Sequence, residues 1–179
     1  MEKYTKVRIV GYTQPAEEFK DSFSDAKELV AFCARVSNPS NQFNNETAEK
    51  LINYLIKHQH WSPLEMASVT LEVETTRDIA RQMLRHRSFA FQEFSQRYAD
   101  PTKDMRFVLR EARLQDTKNR QNSIETNDPH LQATWDAFQQ NVIDAAIQAY
   151  NWGIKNGIAK EQCRSVLPEG NTTSRLYVQ

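Results

Sequence analysis

Residues 67 to 87 read ASVTLEVETTRDIARQMLRHR, and the way this stretch divides decides the fold. Ala67, Val69, Leu71 and Val73 alternate with Ser68, Thr70, Glu72 and Glu74. A period of two is that of a strand, here one half-buried in an antiparallel sheet. The period then changes. Thr75 or Thr76 can cap a helix whose apolar side is Ile79, Ala80, Met83 and Leu84. Strand and helix in one chain predict an α/β (α+β) subunit, an antiparallel or mixed sheet packed with helices.

Outward from this stretch the other elements follow. KVRIVGYT (6 to 13) is a short β-rich run. Asp25 and Glu28 form a capping box, and Leu29, Phe32, Cys33 and Val36 carry a helix to about Ser37. NPSNQFNN (38 to 45) is a loop, a second helix runs through Leu51, Tyr54, Leu55 and His58, and HQHWSPLE (58 to 65) breaks it at Pro63. MRFVLRE (105 to 111) reads as a strand, and the polar residues 112 to 129 as an exposed loop or mobile insert. Asp128-Pro129 opens a long helix by the N-cap and N1 rule, and Gly153 closes it. Leu131, Trp135, Phe138, Val142, Ala145, Ala146 and Ala149 are its expected buried face. A short helix near 159 to 167 stops at Pro168, and SRLYVQ (174 to 179) begins a last strand.

The bulk numbers narrow the function. The 179 residues suit one domain, 1 to 179, with 39% hydrophobic and 26% charged residues. Lys+Arg and Asp+Glu are equal at 23 each, so any anion site is local and a basic stripe for nucleic acid is missing. No apolar run suggests a membrane span or signal peptide, and Cys33 and Cys163, expected as buried thiols, suit a reducing cytoplasm. His58, His60 and His86 make no metal set, because H-x-H at a helix end sends the rings to different faces and no Cys or carboxylate completes it.

Chemistry concentrates in RHRSFAFQEFSQRYAD, residues 85 to 100. Arg77, Arg81 and Arg85 stand at i, i+4 and i+8, and for Arg77 and Arg81 the reading is a solvated charged face. Arg85, His86 and Arg87 are adjacent, so they converge only if the helix ends and the backbone turns. Guanidinium forks suit phosphates, Gln92 and Glu93 add acceptors, and Ser95 and Gln96 can read a base or sugar. Phe89, Phe91 and Phe94 serve as core or as ring faces. The set fits a phosphorylated, ring-bearing ligand, leaving open a nucleotide-using enzyme or a module for single-stranded bases. No G-x-G-x-x-G or P-loop occurs, so a dinucleotide would be held another way.

The spacing goes further. RHR followed by seven residues and Ser95, then QEFSQRY, resembles the flavin-dependent thymidylate synthase family. So do CARVS (33 to 37), His58 to Glu65 as H-x-H-x-S-P-x-E, ARQMLRHR (80 to 87) and CRSVLP (163 to 168). The resemblance implies a homotetramer with FAD and dUMP at subunit junctions. It places Ser62, Arg85, His86, Arg87, Ser88 and Glu93 at flavin-contacting positions. Gln82, Arg85, Glu93, Phe94, Ser95, Gln96, Arg97 and Arg164 match positions that hold dUMP, with Ser95 positioning it. The implied reaction transfers a methylene from 5,10-methylenetetrahydrofolate to C5 of the uracil, with hydride from flavin and NADPH as reductant. Two departures are Gln92 in place of the common asparagine, and the lack of a match for the family's C-terminal portion with its uracil-activating arginine.

Overall fold

The computed structural model describes residues 4–179. Along the chain run β1 (Lys6–Tyr12), α1 (Ala26–Ala34), α2 (Ala48–Lys57), β2 (Val69–Thr76), α3 (Arg77–Met83) and β3 (Phe91–Glu93). They are followed by α4 (Pro101–Asp104), β4 (Arg113–Gln115), β5 (Ser123–Glu125), α5 (Pro129–Lys155), α6 (Lys160–Cys163) and β6 (Thr173–Val178). The main sheet has the order β1-β2-β6-β3, and β3 lies antiparallel to β6 with Glu93 opposite Leu176. Two compact units divide the chain, one from residues up to Val7 together with Glu72–Val178, the other from Arg8–Leu71 with Gln179.

In the first unit β2 passes into α3 without a loop, as the change of period implies. Its later half departs from the half-buried expectation: Glu72, Val73, Thr75 and Thr76 are all buried. Successive residues point to opposite faces, so both faces are covered there. Glu72 tolerates burial because the Tyr177 hydroxyl donates to its Oε2 at 2.8 Å. Leu176 at 0% exposure centres the sheet core, and Tyr150, also 0%, packs with Ala146, Cys163 and Leu167.

Three expectations need correction here. Residues 105 to 111 form no regular strand: one bridge, Phe107 to Thr172, is all the ladder they make. Side chains take over the pairing, since Gln139 accepts from the Arg110 N–H at 2.7 Å and donates to its carbonyl at 2.9 Å, while Asn171 Nδ2 donates to the Val108 carbonyl at 3.0 Å. Ala112 is buried, but residues 113 to 129 are largely exposed as expected; they nevertheless fold into the β4–β5 hairpin, with Arg113 opposite Glu125 and Asp116 accepting from Lys118 N, Asn119 N and Asn122 Nδ2.

The third correction concerns α5. Asp128 caps it, accepting from His130 N and Leu131 N. However, Gln139, Ile143, Ala146, Tyr150 and Gly153 are its buried residues, and of the expected face only Ala146 is covered. Nor does Gly153 end the helix, which runs on to Lys155. Glycine is required there for close approach, because a Cβ would stand 2.7 Å from Cys163 Sγ.

In the second unit the capping box holds: Asp25 accepts from Lys27 N and Glu28 N at 2.8 and 3.0 Å, and Glu28 accepts from Ser24 N. α1 stops at Ala34, three residues before Ser37. Phe19, Phe23, Phe32 and Phe43 make its aromatic core, with the rings of Phe23 and Phe32 4.9 Å apart. Cys33 is half-buried, unlike the fully buried Cys163, and both are free thiols. His58 and His60 do not diverge as H-x-H suggested. Gln59 takes φ 58°, so both rings face Tyr54, at 4.2 and 6.2 Å. Among the described residues no helix is long and apolar enough to cross a membrane.

Candidate functional site

α3 ends at Met83, before Arg85, His86 and Arg87, which is the condition their convergence needs. Leu84 caps it, the Arg85 N–H donates to the Gln82 carbonyl at 3.2 Å, and the His86 N–H to that of Met83 at 3.0 Å. These tight bonds close the last turn, and the backbone bends through Arg87 and Ser88 into β3. Arg85, His86, Arg87 and Ser88 are all exposed. Neither guanidinium has an acceptor or a carboxylate partner among the described residues. The His86 and Phe89 rings stand 5.3 Å apart, and a depression of about 490 Å³ is lined by Ile79, Gln82, Met83, Arg85 and His86.

Arg77 and Arg81 overturn the solvated-face reading, fully for the first and partly for the second. Arg77 is 6% exposed and its Nη1 donates to Glu93 Oε1 at 3.3 Å, an oxygen that also accepts from Ser174 Oγ at 2.8 Å. Arg81 stays exposed, but its Nε reaches both oxygens of Glu169 at 2.9 and 2.8 Å. Burial pulls the Arg77 guanidinium below the ordinary arginine range, opposed by the charge of Glu93. The hydrogen bond that Arg81 donates to the Glu169 carboxylate lifts that of Arg81. Arg77, Ser174 and Glu169 were therefore missed as members of this locus. One signal was available: Arg77 is the first residue of α3, where the helix dipole disfavours a cation unless carboxylates meet it.

The chain after β3 supplies the remaining groups. The Phe94 N–H donates to the Arg175 carbonyl at 2.8 Å, which continues the β3–β6 pairing by one residue and fixes where the turn begins. Phe94 and Ser95 are half-buried, and Gln96 is 3% exposed with an Nε2 that has no partner among the described residues. A buried amide donor left open is costly unless a ligand takes it. Arg97 and Arg164 are distant in sequence, yet both meet Glu161. Arg97 Nη2 lies 3.0 Å from its carboxylate, and Arg164 Nε donates to its carbonyl at 3.2 Å. Glu161 was also missed, and nothing in its sequence setting marks it. Ser62 belongs to the other unit, where it opens the short 3₁₀ turn Ser62–Met66.

The structure thus gathers Gln82, Arg85 and His86 around one depression and Arg97 with Arg164 around Glu161, and it locks Glu93 between Arg77 and Ser174. Comparison with known proteins gives this arrangement a family. The sequence model described as thymidylate synthase complementing protein matches residues 19–179. A probable flavin-dependent thymidylate synthase of Paramecium bursaria Chlorella virus 1 is 46% identical over 167 residues, covering 93% of this chain and 75% of the relative. The chain belongs to the flavin-dependent thymidylate synthase family. The Synechocystis member is 43% identical over 173 residues, covering 97% of this chain and 78% of its own. Among solved structures, a UMP/dUMP methylase, PolB of Streptomyces cacaoi bound with 5-Br dUMP, superposes with a TM-score of 0.70 at 26% identity, covering 97% of this chain and 71% of that one.

Family membership makes the chain an FAD-dependent methyltransferase, a thymidylate synthase. The donor set fits that cofactor. FAD presents a diphosphate, and Arg85 and Arg87 are charged donors that no acidic residue neutralises among the described residues.

Proposed function

We propose that Arg85, His86, Arg87 and Ser88, with Ser62 and Glu93, hold FAD, and that Gln82, Arg85, Glu93, Phe94, Ser95, Gln96, Arg97 and Arg164 hold dUMP. The observation that carries this is the exposed, unpartnered pair of guanidiniums at the end of α3, beside arginines of the same helix that carboxylates already occupy. When bound, FAD supplies the hydride that reduces the transferred methylene to a methyl group. 5,10-Methylenetetrahydrofolate is the carbon donor and NADPH the reductant that restores the flavin.

The protein's own part is binding and orientation. Arg97 and Arg164 meet the nucleotide phosphate, with Glu161 fixing their approach. Gln96 offers its open Nε2 to a carbonyl of the ring, and the half-buried Ser95 positions the same ring. Glu93 has one oxygen held by Arg77 and Ser174, which leaves the other to accept from a ligand N–H. The active form is a homotetramer of the cytoplasm, a reading supported by two free cysteines and by exposed apolar surface.

Titration of the purified chain with FAD and then dUMP tests the assignment. The Arg85→Ala variant should bind both ligands at least ~10-fold more weakly, the worth of one charge-assisted fork. Unchanged binding of both would refute it.

A further inference from the structure

A pocket of about 520 Å³ opens between the end of α1 and the start of α2, wholly inside the second unit. Its two cations are Arg35 and Lys50, and none of its lining residues is acidic. Arg35 is 8% exposed, and its guanidinium donates to the Asn44 carbonyl and, at 2.7 Å, to Thr47 Oγ1. Both acceptors are neutral. Among the described residues no carboxylate meets Arg35 or Lys50. The two bonds tie the loop before α2 to the end of α1, a task for which a neutral donor would serve. The charge is surplus to it, and a buried charge without a counter-ion is unfavourable until an anion arrives.

The neutral groups agree with the cations. Asn38 Oδ1 accepts from Ser40 Oγ at 3.2 Å, and Asn41 Oδ1 from Asn44 Nδ2 at 2.9 Å. Their acceptors are thus engaged within the loop, while both Nδ2 groups are left without a partner among the described residues. The Ser37 hydroxyl lines the pocket with them. Lys50 and Tyr54 stand at i and i+4 on α2, so ammonium and ring share one wall. Tyr54 is 52% exposed, its ring 4.2 Å from that of His58.

Such a lining of donors selects an anion, and its make-up selects which. Two cations with several N–H and O–H donors exceed what the single charge of a carboxylate can engage. A phosphate monoester offers three acceptor oxygens and about two negative charges. The space is larger than a bare phosphate fills, and an exposed tyrosine ring is a surface on which a base stacks. Among the ligands of the proposed function, FAD has its phosphates bridged into a diphosphate, the folate carries carboxylates, and dUMP is met by Arg97 and Arg164. NADPH carries a phosphate monoester on the ribose of its adenosine. We propose that the pocket of Arg35 and Lys50 binds the 2′-phosphate of NADPH, with the adenine against Tyr54. The choice of NADPH rests on the proposed function, whereas the anion pocket does not.

The test is a calorimetric titration of the full chain with NADP⁺ and with NAD⁺, which differ only in that phosphate. NADP⁺ should bind at least ~10-fold more tightly. Lys50→Glu, at an exposed position, should bring the two to equal affinity. Arg35→Gln, which keeps a donor for the Asn44 carbonyl and drops the charge, should do the same. A preference for NADP⁺ that Lys50→Glu leaves intact overturns the pocket. So does a parent without the preference, when AMP either fails to bind or binds Lys50→Glu as well as the parent. A parent without the preference whose AMP binding is lost in Lys50→Glu keeps the phosphate pocket and gives it to a free nucleotide instead of the reductant. FAD and dUMP, titrated on the same proteins, should bind both variants as they bind the parent. A parent that binds neither refutes the site assignment above and leaves the comparison of NADP⁺ with NAD⁺ readable.

Discussion

Arg77 and Arg81 occupy α3, and Arg85 and Arg87 stand just beyond it, yet the two pairs do different work. Glu93, Ser174 and Glu169 converge on the first pair, and Arg77 is buried by that arrangement. Among the described residues no acidic side chain meets the second pair, which remains in solvent. Residue type and spacing do not separate them. The difference lies in what the rest of the chain brings to each position. β3 brings a carboxylate, held by a β6 hydroxyl, to the start of the helix, whereas among the described residues none is brought to the bend beyond its end. Of these four guanidiniums, the two that carboxylates meet serve the architecture, and the two left bare are the ones open to a ligand.

The comparison can be broken at either end. The largest effect should come from Arg77→Ala, which strands the Glu93 carboxylate in a part-buried site and opens a void. Urea unfolding should show a loss of about 3 kcal/mol, and a loss below about 1 kcal/mol would mean that the inner pair is not structural. Arg87→Ala should behave oppositely. Its melting temperature stays that of the parent, while the affinity for FAD, followed by flavin fluorescence, falls about 10-fold, or about 1.4 kcal/mol. The smallest change belongs to Glu169→Gln, where the main partner, Arg81, is 55% exposed at its side chain. Solvent screening limits that pair to about 0.5 kcal/mol, measured by the same unfolding curve.

The elements that depend on local pattern were legible in the sequence: β2 passing to α3, the Asp25 and Asp128 caps, and the helix end forced by adjacent Arg85, His86 and Arg87. What was not legible depends on partners remote in sequence. Gln139 and Asn171 satisfy the backbone of residues 108 to 110 and remove the need for a strand there. The burial of Glu72 requires Tyr177, and that of Arg77 requires Glu93 and Glu169. On α5 the apolar periodicity pointed to the wrong buried face: of the residues it picks out only Ala146 is covered, and the face on the core is the neighbouring one, centred on Tyr150. A pattern shows that a surface avoids water; it does not say which surface supplies the shelter. The candidate ligand groups were found through motif spacing, while Glu161 and Ser174, which aim them, carry no local signature.

Gly153 gives this division a last turn. The space where its side chain would stand is taken by the Cys163 sulfur, and the next residue along the chain is Arg164. One missing methyl group on α5 thus sets how near Arg164, proposed above to meet the nucleotide phosphate, sits to its neighbours. A mutational scan scored on turnover would mark Gly153 as intolerant, although no map of ligand contacts would include it.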